Sequence, residues 1–164
     1  MNSIYFYFLE PSQTLKCYLL ENYKTLMAAR DLYHEIVVIA LEKDGWNVTD
    51  DPLVIPAGKR KLKIDLGAEK LLAAEKEEEK IAVEIKTFSG LSEIYDFYTA
   101  LGQYKFYLYT LSKASSPRTL FLAVSSDIYH EFFEETFIQE FIESEAMKIL
   151  IFDITTKTVV EWIK

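Results

Sequence analysis

A carboxylate and an ammonium stand two residues apart in Ile81-Ala82-Val83-Glu84-Ile85-Lys86, an otherwise apolar run. Side chains two apart on a strand share a face, so Glu84 and Lys86 would project together. Asp65 ends a second strand-like run, Lys61-Leu62-Lys63-Ile64-Asp65. An Asp, a Glu and a Lys at one spot are the side chains that phosphodiester hydrolysis by a bound Mg²⁺ would use. The metal acts as Lewis acid and template. It takes hard oxygen ligands, usually one or two carboxylates with waters and substrate phosphate. Asp65 and Glu84 are ligands of the right type, with the Ile85 carbonyl as a third, and Mn²⁺ is an alternative to Mg²⁺. Lys86 would neutralise charge and position or activate the water, since its amine is a compact point charge with a tunable pKa.

Plainer readings stand beside this one. Glu84 and Lys86 could be an exposed ion pair, worth little. Asp65 could be a turn residue ahead of Gly67. Glu75 is a substitute ligand, although residues 75–80 are mostly charged and read as a solvated hairpin tip. Lys59, Arg60, Lys61 and Lys63 form a short basic group that either contacts phosphates or is a solvated turn. His34 reads as a helix-surface or capping residue rather than a ligand, since His130 is distant in sequence.

The surrounding elements follow from periodicity. Leu32, Ile36, Ile39 and Ala40 recur at helical spacing until Gly45 stops the run. Short strands are expected at 46–49, 52–55, 62–65 and 71–75, a charged turn at 77–80, and the strand 81–86. A helix over 92–112 carries Ile94, Phe97, Tyr98, Leu101, Tyr104, Leu108 and Leu111 on its apolar side. Ser115-Ser116-Pro117 breaks it. Leu120–Val124 is continuously apolar, as in a strand covered on both faces. Residues 128–146 read as helix in two pieces, followed by strands at 148–153 and 158–162. Helices interleaved with strands predict an α/β domain, a central mixed β-sheet flanked by helices.

Bulk composition narrows the class. One domain fits 164 residues. The chain is 50% hydrophobic with only 5 Gly and 4 Pro, which excludes a disordered polypeptide. A single cysteine, Cys17, rules out an internal disulfide framework or a Cys-based zinc site and suits a reducing cytoplasm. The net charge of −8 opposes a broad electrostatic grip on nucleic acid, because that grip comes from Lys and Arg on phosphates. The N-terminus has no basic region and its apolar run, Ile4–Leu9, is too short for a secretory signal or a membrane span. Residues 1–26 differ in character from the rest. Met27 is expected as the true start, with 1–26 an upstream extension and 27–164 the domain; the alternative is a genuine extra helix.

Asp65 followed by Glu84-Ile85-Lys86 resembles the D-(E/D)-x-K signature of the restriction-endonuclease-like PD-(D/E)xK superfamily. That resemblance implies a restriction-endonuclease-like fold and gives two further residues roles. Glu35 sits in a helix ahead of the strands, where several branches carry an additional metal-linked Glu; otherwise it is a surface Glu. Gln103 and Tyr107, one turn apart on one helix face, are similar to the Q-x-x-x-Y motif of RecB-like members. There Gln103 would orient Lys86 or a phosphate and Tyr107 would touch nucleic acid; otherwise both pack at the core edge.

A closer resemblance runs from Met27 to Trp162, to the XisH family of fdxN-element excision controlling factors. It is carried by Ala29-Arg30-Asp31, Leu41-Glu42-Lys43-Asp44-Gly45-Trp46, Ile64–Lys70, Ala73–Glu77, Ile81–Lys86 and Thr99–Tyr104. It implies an accessory protein acting with an XisI-like partner so that a site-specific recombinase can excise a DNA element. DNA and a second copy of the chain are further expected partners, and no membrane. It also leaves open a regulator that keeps a nuclease fold without cutting. The chain departs from the family pattern at Gly58-Lys59-Arg60-Lys61, and residues 1–26 have no counterpart in it.

Overall fold

The computed structural model describes residues 31–64, 66–72, 77–90 and 92–164. Helix α1 (31–43) leads into β1 (Asn47–Asp50), β2 (Leu53–Ala57), β3 (Arg60–Ile64), β4 (Leu66–Leu72) and β5 (Glu77–Ile85). Helix α2 (Glu93–Lys113), β6 (Thr119–Ser125), a short turn of helix α3 (Ser126–Ile128), a π-helical turn (Tyr129–Phe133), α4 (Thr136–Ser144), β7 (Ile149–Asp153) and β8 (Thr158–Ile163) complete it. Six strands form one mixed sheet in the order β1-β4-β5-β6-β7-β8, and β2 pairs with β3 in a separate hairpin. The fold is therefore a mixed sheet flanked by helices, as the alternation of patterns predicts.

The centre of the sheet is parallel: β5 pairs with β6 and β6 with β7, while β4 and β8 join antiparallel. A parallel pair needs a crossover, and α2 and then α3–α4 supply the two. Two successive crossovers in one direction with one hand place both connections on the same face. Accordingly Phe97, Ala100 and Tyr104 of α2 pack with Phe132, Phe133, Ile138 and Ile142 over Ala82, Leu120, Leu122 and Val124. The alternate residues Ile81, Val83, Ile85, Phe121 and Ala123 point to the other face and meet Ile36, Val37, Ala40 and Leu41 of α1. There, Trp46 and Trp162 both donate Nε1–H to Asp44 Oδ2 at 3.2 Å.

Several expectations shift. Residues 77–80 are not a turn but the first part of β5, paired with 69–72 of β4. Four consecutive charges suggest solvent, yet the register with β6 begins only at Ile81, so this half of β5 pairs with β4 alone and Glu79 is exposed while the backbone stays in the ladder. The strand expected at 71–75 begins before that range, at Leu66, and includes Leu71 and Leu72; residues 73–76, Glu75 among them, fall outside the described residues, as do 1–30. Tyr98, assigned to the apolar side of α2, is exposed. Leu32 is exposed as well, at the start of α1.

Tyr104 ties the two crossovers together. It is buried, donates its hydroxyl hydrogen to the Leu120 carbonyl at 3.3 Å and accepts the Lys148 amide at 3.0 Å. Burial pushes its phenol above the ordinary value, against a smaller lowering by the Lys148 amide. Tyr104→Phe leaves the Lys148 amide without this acceptor and is expected to destabilise the fold by about 1–3 kcal/mol in urea titrations. A phenol held above its unfolded value contributes stability that is present below about pH 10 and lost as pH rises through the folded value. Wild-type stability should therefore fall more steeply above pH ~10 than that of Tyr104→Phe.

Candidate functional site

The site grows from the end of the central strand. Within β5, Glu84 takes the same face as Ala82, the face covered by α2 and α4. It pairs across to Leu122 of β6. It is a carboxylate on an otherwise apolar face and only 3% exposed. Such a group costs several kcal/mol unless it is paired and hydrogen-bonded. Lys86, two residues on and on the same face, supplies the pairing: its Nζ lies 2.7 Å from Glu84 Oε1, with 22% of its side chain exposed. The same Nζ donates to Gln103 Oε1 of α2. Glu84, Lys86 and Gln103 thus form one continuous polar chain from the sheet core to the helix. Every buried side-chain nitrogen and oxygen among the described residues has a hydrogen-bond partner.

The backbone fixes where this chain ends. The Lys86 amide donates to the Ala123 carbonyl, which carries the β5–β6 ladder one residue past the strand. Two residues later Phe88 adopts a positive φ of 46°. That region is unfavourable for a bulky residue, and persists only when its surroundings hold it. Here the ring is buried and packs against Phe132 and Phe133, at centroid distances of 6.0 and 5.3 Å. The turn out of β5 is therefore anchored in the aromatic cluster beneath α2.

The other predicted residues are placed as follows. Tyr107 lies one turn beyond Gln103, half-buried against the same core. Lys59, Arg60 and Lys61 are exposed on the β2–β3 hairpin. Its loop is Gly58-Lys59, with Ala57 opposite Arg60. A positive φ of 60° at Gly58 alone matches the requirement of a type II′ turn. Leu53 and Ile55 bury the root of this hairpin in the core that contains α2. The basic tip is therefore mounted on the same side of the sheet as Glu84 and Lys86. Glu35 is exposed on α1, the helix that covers the opposite face. His34 Nε2 contacts Asp51 Oδ2 at 2.9 Å, a surface pairing. Asp65 lies outside the described residues. Its sequence neighbour Leu66 pairs with Val83, the residue before Glu84. Among the described residues no three His, Cys, Asp or Glu side chains come together as a metal site.

Sequence reasoning did not single out Arg118. It donates to the Ile81 carbonyl at 3.1 Å, to Asp50 Oδ2 at 3.1 Å and to Thr49 Oγ1 at 3.3 Å. It clamps β1 to the middle of β5, three residues before Glu84, and so belongs to the frame. Only its place after Pro117, opening a buried strand, hints at that.

A family model described as XisH protein matches residues 27–160. The chain belongs to the XisH family. Two solved structures share the XisH fold and sequence. An XisH family protein from Nostoc punctiforme PCC 73102 is 42% identical, with a TM-score of 0.73, over 81% of this chain and 99% of that one. A fdxN element excision controlling factor protein from Anabaena variabilis is 41% identical, also at 0.73, over 82% of this chain and 99% of that one. No curated protein matches the chain. No helix among the described residues is long and apolar enough to cross a membrane.

The polar chain in this XisH domain makes a stability prediction. Lys86→Met removes the cation facing Glu84 and is expected to cost about 1–3 kcal/mol, below the 3–5 typical of a fully buried pair because Lys86 is partly solvated. In a double-mutant cycle measured by urea unfolding, Glu84→Gln combined with Lys86→Met should cost less than the sum of the single changes.

Proposed function

We propose that this chain acts as an accessory factor in excision of a DNA element by a site-specific recombinase, alongside an XisI-like partner, through a Mg²⁺-dependent nuclease-type site of the restriction-endonuclease-like kind. The observation that carries the reading is the Glu84–Lys86–Gln103 chain. A carboxylate and an amine are held together at the end of a central parallel strand, with the amine oriented by a helix amide. Structural needs alone would be met more cheaply by apolar residues at both strand positions. The fdxN element excision controlling factor protein of Anabaena variabilis, similar along most of its length, supports the biological setting.

In this reading Glu84 supplies a hard oxygen to Mg²⁺ or Mn²⁺, and Asp65 and the Ile85 carbonyl are the further ligands. Bound metal would polarise the phosphodiester and favour ionisation of a water. The residues of the chain itself have narrower tasks. Lys86 holds its ammonium between Glu84 and the position of a phosphate oxygen, offsetting negative charge as substrate approaches. Gln103 fixes the Nζ, leaving its one remaining N–H for a phosphate oxygen. Lys59, Arg60 and Lys61, on a hairpin rooted on the same side, would grip the phosphate backbone locally. Such a grip is compatible with an overall charge of −8. Tyr107 extends the helix face towards the nucleic acid. Glu35, exposed on the helix over the other face, is the weakest member of the proposed ligand set.

A second reading is favoured by one feature: Lys86 already pairs with Glu84. A carboxylate satisfied in this way suits a non-catalytic regulator that keeps the fold and works through protein contacts.

Supercoiled and branched DNA incubated with the purified chain should be nicked in Mg²⁺ or Mn²⁺. Glu84→Ala and Lys86→Ala should each lower the rate by at least 100-fold, the scale of losing general acid–base or electrostatic assistance. Cleavage unchanged in both variants, or none with any DNA, would remove the nuclease reading. A complex with an XisI-like protein that survives Glu84→Ala while no DNA is cut would establish the regulator instead.

A further inference from the structure

Helix α2 presents two opposite faces. Phe97, Ala100, Tyr104 and Leu111 are buried against the sheet. On the outer side stand four large aromatics: Tyr95 (71% exposed), Tyr98 (58%), Phe106 (52%) and Tyr109 (60%). At about 100° per residue these four fall, with Gly102, within about 80° of arc, forming a single stripe over four turns. The stripe is symmetric in sequence. Gly102 is its centre, with Tyr98 and Phe106 four residues to either side and Tyr95 and Tyr109 seven to either side. Gly102 is exposed, and a Cβ built on it would meet nothing within 4 Å.

We propose that this stripe is a homodimer interface, in which α2 of one copy packs antiparallel against α2 of a second copy across a twofold axis at Gly102. A twofold contact must be self-complementary. A stripe symmetric about one residue meets that condition directly: Gly102 faces Gly102, Tyr98 faces Phe106 and Tyr95 faces Tyr109. The missing side chain at the axis lets the two backbones approach closely, while the flanking rings interdigitate in edge-to-face contacts. Tyr95 and Tyr98 already meet edge to face, with centroids 6.2 Å apart.

The helix dipoles agree with the antiparallel sense, which sets them in opposition. Lys113 lies on the stripe's side of the helix, its ammonium over the Tyr109 ring at 5.4 Å, whereas Glu93 and Asp96 of the first turn point about 180° and 120° away from the stripe's centre and do not pair across it. Area agrees as well. Aromatic side chains of about 150–250 Å² each, exposed to these degrees, give about 360–600 Å² per copy. Twice that, about 700–1,200 Å², spans the ~1,000 Å² that marks a specific interface. A patch of this size is at the upper end of what a monomer leaves open to water.

Two variants separate loss of the interface from loss of the fold. Gly102→Arg sits in open space on a helix and replaces a poor helix former, so its thermal midpoint should hold or rise. Its dimer dissociation constant, from sedimentation equilibrium at tens of micromolar, should rise at least tenfold. Gly102→Cys in a Cys17→Ser background should oxidise to a disulfide-linked dimer, because position 102 faces itself. Tyr98→Cys in the same background should not, because it faces Phe106. A wild-type chain that sediments as a monomer, a dimer indifferent to Gly102→Arg, or cross-linking at 98 in preference to 102 would each overturn the proposal. None of these outcomes depends on whether the chain cuts DNA.

Discussion

The burial of one carboxylate organises this molecule. Glu84 occupies a position where the strand pattern calls for an apolar side chain, on the face covered by two crossovers. A carboxylate there is tolerated only if cationic and hydrogen-bonding groups reach it. Lys86 reaches it from the same strand. Gln103 then fixes Lys86, and so fixes the rotation of α2 about its own axis. Tyr104, the next residue, locks the same helix to β6 and to the start of β7. One turn of α2 therefore carries both the orienting amide and the packing anchor. The candidate site and the hydrophobic core are not separable parts of the structure.

The two faces of the sheet are built differently for this reason. The α1 face is apolar throughout its centre, with Ile36, Val37, Ala40 and Leu41 against Val83, Ile85 and Phe121. Its polar atoms are at the margin, where the indole N–H groups of Trp46 and Trp162 converge on Asp44. The α2 face mixes an aromatic cluster with the polar chain. Polar groups gain electrostatic strength in such low-dielectric surroundings, provided all of them are satisfied. That combination suits a site where charge must be held in place, and it is unnecessary for stability alone.

Much of this was legible from residue order, for identifiable reasons. Leu120–Val124 reads as a doubly covered strand because both faces of β6 are covered. The helix expected over 92–112 is α2 (Glu93–Lys113), because its apolar period runs unbroken until Ser115-Ser116-Pro117. Glu84 and Lys86 share a face as their two-residue spacing predicts, and Gln103 meets Lys86 as the resemblance to the Q-x-x-x-Y motif implies. The strand at 77–80 was hidden because this half of β5 pairs with β4 alone, where charged residues can stay in a ladder, and local composition cannot distinguish that from a turn. Tyr98 was misplaced because α2 is aromatic on its outer face too, which blurs the helical period. Arg118 was invisible because its acceptors, Ile81 and Asp50, are 37 and 68 residues away. Only the sheet order brings them near.

Phe88 joins two parts of the chain that are far apart in sequence. Its left-handed backbone directs the polypeptide away from Lys86, and the rings of Phe132 and Phe133 hold it there. The second crossover thereby helps to shape the turn at the end of β5. A smaller side chain at Phe132 or Phe133 would loosen the path of the chain just after Lys86, about 45 residues earlier in the sequence. The rings under Phe88 thus act on the exit from the strand that carries Glu84 and Lys86 through the backbone they hold in place.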